Sequence, residues 1–241
     1  MKSKLLYLTV ILLCVMLLSC AEVLSQMSTL TPSTSGGLTR EEIIRGLKEA
    51  LIVGATNSTS LASQTDGFHL NTLIRIPFPQ EAIQVKKTVD SIGLSNLTKD
   101  FEKSLNRAAE EASKKAFPIF KNAIVGITIN DGIGILRGPK NAATEYLKNR
   151  TRNALIAEFT PVVTRAIESV QVTKYWTPIA QAYNKTTILT GEKAVNPNLP
   201  EYVTQKTIDG LFTLIAAEEL KIRENPAARV SDILKKVFGS L

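Results

Sequence analysis

Apolar positions in this chain recur every three to four residues, in blocks separated by turn residues. A 3.6-residue period gathers such positions on one face of a helix. Thr39-x-x-Glu42 has the form of a capping box, and Ile43, Leu47, Ala50, Leu51 and Gly54 follow at helical spacing, which predicts a helix over about 40–55. Asp66-Gly67-Phe68 and Ile76-Pro77-Phe78-Pro79 read as turns, and a short helix over about 79–91 leads to Gly93. The most regular run is Leu97, Phe101, Leu105, Ala108, Ala112, Ala116, Phe120 and Ala123, in which Pro118 predicts a kink or a new start.

Further on, Thr128 with Asp131 predicts an N-cap and a short helix that stops at Gly138-Pro139. Ala143, Leu147, Leu155, Phe159, Val162, Val163, Ala166 and Ile167 mark a long helix over about 140–170, with Pro161 as a kink. After a loop over 191–200, Pro200 suits the first position of a helix over about 200–224, faced by Val203, Leu211, Phe212, Ile215 and Ile222. Asn225-Pro226 then breaks the chain and caps a last amphipathic helix carrying Val230, Ile233, Leu234, Val237 and Phe238. No run alternates as strands do, and no repeat is visible. The prediction is an all-α, single-domain helical bundle with kinked long helices, over residues 38–241.

The start of the chain follows a different pattern. Lys2 and Lys4 precede Leu5–Leu18, fourteen almost wholly apolar residues that span only about 21 Å as a helix against about 30 Å of bilayer hydrocarbon. That fits a signal peptide over residues 1–19 rather than a permanent span. It ends Leu17-Leu18-Ser19-Cys20, which resembles the lipobox of bacterial lipoproteins, where the cysteine thiol takes diacylglycerol and becomes the first mature residue. Ser19-x-Ala21 would also serve as an ordinary cleavage site, releasing a soluble protein from Glu22; the four positions ending at Cys20 favour lipidation. Residues 20–37 then form the lipidated cysteine and a flexible tether rich in Ser, Thr and Gly, with a reach of about 20–25 Å. Ala21 after the cysteine, where an Asp marks inner-membrane retention in some bacteria, leans the address towards the outer membrane, facing the periplasm.

Composition narrows the chemistry. Loss of Lys2 and Lys4 with the leader takes the net charge from +7 to +5, with charges interspersed, which suits anionic lipid and is far from a nucleic-acid footprint. Cys14 leaves with the leader and Cys20 is blocked, so neither an internal disulfide nor a cysteine nucleophile is expected. His69, the one histidine, follows a turn without partners at triad or zinc spacing. Gly132-x-Gly134 and Gly138 lack the strand and Lys-Ser/Thr ending of a phosphate loop and read as close-packing glycines. Asn57-Ser58-Thr59 matches a glycosylation acceptor, which carries little weight in a bacterial lipoprotein. Tyr175, Trp176 and Tyr183 read as core aromatics, or else as an amphipathic patch.

The carboxylates hold the most chemistry. Asn106, Arg107 and Glu110 share one helical turn, and Glu218, Glu219 and Arg223 repeat the arrangement. Facing one another, the two sets would make a partly buried ion-pair network that locks helix register. The functional alternative is a polar pocket that also takes in Asp131 and Glu145 and carries acid–base chemistry. Carboxylates tied to Arg107 and Arg223 would mark scaffolding; two that converge unpaired in a cleft would mark catalysis.

Gly46-Leu47-Lys48-Glu49-Ala50-Leu51, Leu105-Asn106-Arg107-Ala108-Ala109-Glu110, Ala142-Ala143-Thr144-Glu145-Tyr146, Asp209-Gly210-Leu211-Phe212 and Pro226-Ala227-Ala228-Arg229 stand in order between Leu38 and Gly239. In these stretches the chain resembles a widespread bacterial family catalogued as domain of unknown function forty-one ninety-seven. The resemblance implies an exported, helical, single-domain protein and brings no activity, cofactor or ligand with it. The expectation is therefore a cell-envelope lipoprotein, non-enzymatic and without cofactor or metal, that binds a partner protein, lipid or cell-wall component and no nucleic acid. The alternatives are an enzyme using Glu110, Glu145, Glu218 or Glu219, and a carrier whose apolar cavity would need hundreds of Å³.

Overall fold

The computed structural model describes residues 38–79, 83–169 and 198–239, with eight isolated positions from Trp176 to Ala194. The expected leader and tether, residues 1–37, lie outside the described residues, as do Tyr175 and Tyr183. No strand occurs among the described residues; the protein is all-α.

Helix α1 (Arg40–Ser63) starts at the predicted box: the Thr39 hydroxyl accepts the Glu42 N–H at 3.1 Å, and the Glu42 carboxylate accepts the Thr39 N–H at 3.0 Å. It runs to Ser63 rather than about 55. Ala55, Ser58, Thr59 and Ala62 are buried in the added turns, and small and hydroxyl side chains of this kind leave little hydrophobic periodicity to read. The Thr59 hydroxyl is satisfied within the helix, donating to the Ala55 carbonyl at 2.7 Å.

After the turns at 64–79 come α2 (Ile83–Ser91) and α3 (Ser95–Ser113). The predicted long run breaks at Lys114-Lys115, ahead of Pro118, and resumes as α4 (Ala116–Val125). Pro118 thus sits in the first turn of α4, where its missing N–H has no intrahelical partner to lose. Leu97, expected on the buried face, is 63% exposed on the opening turn of α3.

Helix α5 (Ile129–Arg137) opens with the expected Thr128–Asp131 cap and ends at Gly138; α6 (Ala142–Ser169) continues through Pro161, whose ring lies on the exposed side. Helix α7 (Leu199–Glu224) is capped by Asn198, with Pro200 in its first turn. Asn225 does not cap the last helix. It caps a 3-10 turn, Pro226–Ala228, while the Ser231 hydroxyl accepts the Leu234 N–H to start α8 (Asp232–Phe238). Val230 precedes that helix and is 69% exposed.

Helices α6 and α7 lie side by side, α3 packs on α6, and α1 runs against α7 while also touching α3, α4, α5 and α8. Leu47, Leu105, Phe120, Leu147, Leu155, Phe159 and Ile208 fill the space between, each fully buried and stabilising by about 1.5–3 kcal/mol. Close approach is set by missing side chains: a Cβ on Gly46 would come within 2.6 Å of Val237, and one on Gly132 within 2.1 Å of Ile44. The packing reading holds for Gly132 and for Gly138, whose Cβ would come within 2.8 Å of Ala142, but not for Gly134, which faces open space. Trp176 is 4% exposed and packs edge-on against Phe78 and at a tilt against Phe101, as a core aromatic should.

Candidate functional site

The buried charged residues form two networks, one on α3 and one on α7. Glu102, Asn106 and Glu110 recur every fourth residue, so α3 presents all three on one stripe. This stripe grips the irregular segment that joins α1 to α2. The Asn106 amide accepts the Ile76 N–H and donates to the Ile76 carbonyl, both at 2.8 Å, satisfying buried backbone groups as a strand partner would. Glu110 accepts the N–H groups of Phe68 and His69 at 3.1 and 3.2 Å and pairs with Arg107 at 2.6 Å. Arg107 reaches on to Asp66 at 2.7 Å, and Glu102 holds Arg75 at 2.6 Å.

Asp66 takes the left-handed conformation at φ 67°, one that Asp tolerates, and Gly67 follows where a Cβ would lie 2.1 Å from the Leu61 carbonyl oxygen. The Asp-Gly-Phe turn is therefore shaped by its own residues and fastened by Arg107 and Glu110. Facing Glu110 first and Asp66 second, the Arg107 guanidinium is held above its ordinary pKa and stays charged.

On α7, Glu219 and Arg223 lie one turn apart, their side chains only 6% and 10% exposed, and paired at 2.9 Å. Each also serves the end of another helix. Glu219 accepts the Ala143 N–H at 3.0 Å and the Thr144 N–H and hydroxyl at 2.8 Å each, capping the first turn of α6. Arg223 donates to the Ile135 and Leu136 carbonyls at 2.9 and 3.2 Å, capping the last turn of α5. The carboxylate meets the positive end of one helix dipole and the guanidinium the negative end of the other. Arg229 does the same for α7 itself, donating to the Ile222 and Arg223 carbonyls.

The remaining sequence candidates do not join these networks. Glu218 points the other way, accepting from Asn57 at 2.7 Å and pairing with Lys221 at 3.2 Å. Asp131 is taken up by its own cap; the Thr128 hydroxyl and backbone hold its carboxyl below the usual range. Glu145 is exposed in the first turn of α6. The eight residues do not converge on one polar pocket, and among the described residues no hydrogen bond or ion pair links the α3 and α7 networks. All three buried glutamates, Glu102, Glu110 and Glu219, are tied to arginine, the arrangement expected of scaffolding. Sequence reasoning missed Asp66, Glu102, Arg75 and Thr144. The i, i+4, i+8 spacing of Glu102, Asn106 and Glu110 was the signal available for the first helix; the partner of Glu219 lies 75 positions away and leaves no local trace.

Among the described residues, a recess of about 20 Å³ beside Glu219, Arg223, Ile215 and Leu51 has room for about one water. Two open surface grooves are larger. One, of about 370 Å³, runs between α4 and α6 past Asn122, Tyr146 and Arg150; the other, of about 300 Å³, lies over α3 beside Asp100, Lys103 and Arg107. Among the described residues no three His, Cys, Asp or Glu side chains are placed to hold a metal. No single helix among them is long and apolar enough to cross a membrane.

The buried charges of this helical domain close helix ends and fasten a loop. The chain belongs to the family described as protein of unknown function DUF4197, whose model matches residues 37–239, nearly the whole helical unit. No curated protein and no solved structure matches it.

Proposed function

We propose that this protein is a non-enzymatic cell-envelope lipoprotein: a helical domain held by a tether at residues 20–37 to acyl chains on Cys20, in the outer membrane of a bacterium and facing the periplasm, which binds a partner protein, lipid or cell-wall component at its surface. The observation that carries the non-enzymatic part is the commitment of Glu110 and Glu219. Both are buried, each has an arginine, and each accepts two backbone N–H groups, so their oxygens are committed to structural partners rather than to a substrate proton. The anchored part is supported by the short apolar leader, the Leu-Leu-Ser-Cys ending and the Ser/Thr/Gly-rich segment that separates it from Thr39.

Growth with a fatty-acid analogue tests the anchor. The mature chain should carry the label, and Cys20→Ser should lose it; a mature, acyl-free chain in the cytosol would contradict the reading. Crosslinking in living cells, followed by mass identification, then names the partner. Failure to capture any envelope species reproducibly would remove the binding role.

A further inference from the structure

The groove between α4 and α6 takes one face from each helix. On α4, Ile119, Asn122 and Ala123 stand at i, i+3 and i+4; on α6, Tyr146, Arg150 and Ala154 stand at i, i+4 and i+8. The two alanines add little bulk, and the groove holds about 370 Å³, within the range of about 300–1,000 Å³ that small-molecule sites occupy.

Its polar side chains are free to bind. The Arg150 guanidinium stands 5.4 Å over the Tyr146 ring, and among the described residues no carboxylate pairs with it. Nor does any hydrogen bond among them tie the exposed Asn122 side chain. The Tyr146 hydroxyl donates a long hydrogen bond to Asp131 at 3.5 Å, which leaves its oxygen able to accept. Burial first and the Asp131 charge second hold that hydroxyl above its ordinary range, so it stays protonated. Asp131 and Arg150 also act on one another, so the groove is close to neutral and offers little to an anion.

A ligand suited to these groups is uncharged, carries hydroxyls that both donate and accept, and has C–H faces to lay on Ile119, Ala123 and Ala154. The planar guanidinium and amide present adjacent N–H groups, which match paired hydroxyls. An open groove also fits a chain passing through it better than a metabolite that must be enclosed on most sides. We infer that the α4–α6 groove binds a neutral saccharide chain, with Arg150 and Asn122 bonding its hydroxyls and Tyr146 accepting from one of them. This makes the cell-wall component of the proposed function a glycan, and it rests on that reading.

The test sediments the full mature chain, purified in detergent, with purified cell-wall sacculi, and competes it with a soluble tetramer of N-acetylglucosamine. The chain should pellet with the sacculi and the tetramer should release it. High salt should change neither, because no ion pair is made. Arg150→Gln should weaken binding about tenfold, the contribution of one hydrogen bond from a charged donor. Ala154→Trp fills the groove, leaves every polar group in place and should abolish binding. Both positions are exposed, so unchanged urea midpoints would show the fold intact; Arg150→Gln decides alone if the bulkier variant proves unstable. Lys103→Gln, in the groove over α3, should bind as the unsubstituted chain does. No pelleting with sacculi, binding lost in high salt, or undiminished binding by the groove variants overturns the proposal. The fatty-acid label scores the anchor separately. An acylated chain that ignores the tetramer loses the groove and keeps the anchor; an unlabelled chain that binds it, with the variants in this order, does the reverse.

Discussion

Two acid–arginine pairs, each within a single helical turn, do different work in this molecule. On α7, Glu219 and Arg223 are both nearly sealed from water, and together they close the ends of two other helices. On α3, Glu110 is as deeply buried, but Arg107 is a third exposed and Asp66 slightly more. Water can replace part of what Arg107 supplies; it cannot reach Arg223 as readily. The same sequence motif thus marks a keystone in one place and a loop clamp at the rim in the other, and burial of the cation separates the two.

That contrast orders the substitutions. Glu219→Ala leaves a buried guanidinium without its partner and two amides of α6 uncapped, and should cost about 3–5 kcal/mol, read as a fall in the urea midpoint at unchanged slope. Equal losses from Glu219→Ala and Arg107→Ala would break the comparison. Asn106→Ala orphans the buried N–H and carbonyl of Ile76 and should cost about 1–3 kcal/mol by the same measurement. Hydrogen exchange should then rise over the 64–79 segment before it rises in α6 and α7. Arg107→Ala leaves Glu110 its two backbone donors and should cost about 1–2 kcal/mol, with loosening confined to the Asp66–Phe68 turn.

The smallest effect is in acid. Lys86 first, then Thr98, holds the Asp90 carboxyl below its ordinary range, and Thr128 does so for Asp131. A lowered folded pKa gives stability that is fully present above the unfolded value near pH 4 and is lost as pH falls through the folded value. Both groups lie at the surface, half-buried and within reach of water, so the effect is a shallow extra slope in thermal midpoint below about pH 4, which Asp131→Asn should reduce.

Much of the fold was legible because its signals are local. The capping boxes at Thr39 and Thr128, the period along α3, and Pro200 in a first turn need only neighbours in sequence. What misled was also local. The end of α1 has small side chains that leave little periodicity, and Leu97 continues the apolar period of α3 although it stands 63% exposed on the first turn. The candidate residues were found as two sets, but their roles were not legible. Glu219 serves the amides of Ala143 and Thr144, and Arg223 the carbonyls of Ile135 and Leu136, and no spacing rule joins positions that far apart. Asp131 and Glu145 were drawn in because acidic residues in a first turn look alike whether they serve a helix or a substrate.

The most direct test is the stability of Glu219→Gln in urea. Residues kept for chemistry are often costly to the fold, and replacing them commonly leaves stability unchanged or raises it. As a cap for α6 and the counter-charge of Arg223, Glu219 should behave oppositely: the neutral amide lowers the midpoint markedly, and the double variant with Arg223→Met recovers part of the loss. A Glu219→Gln chain as stable as the unsubstituted one, or more so, would contradict the reading of its buried charges as scaffold.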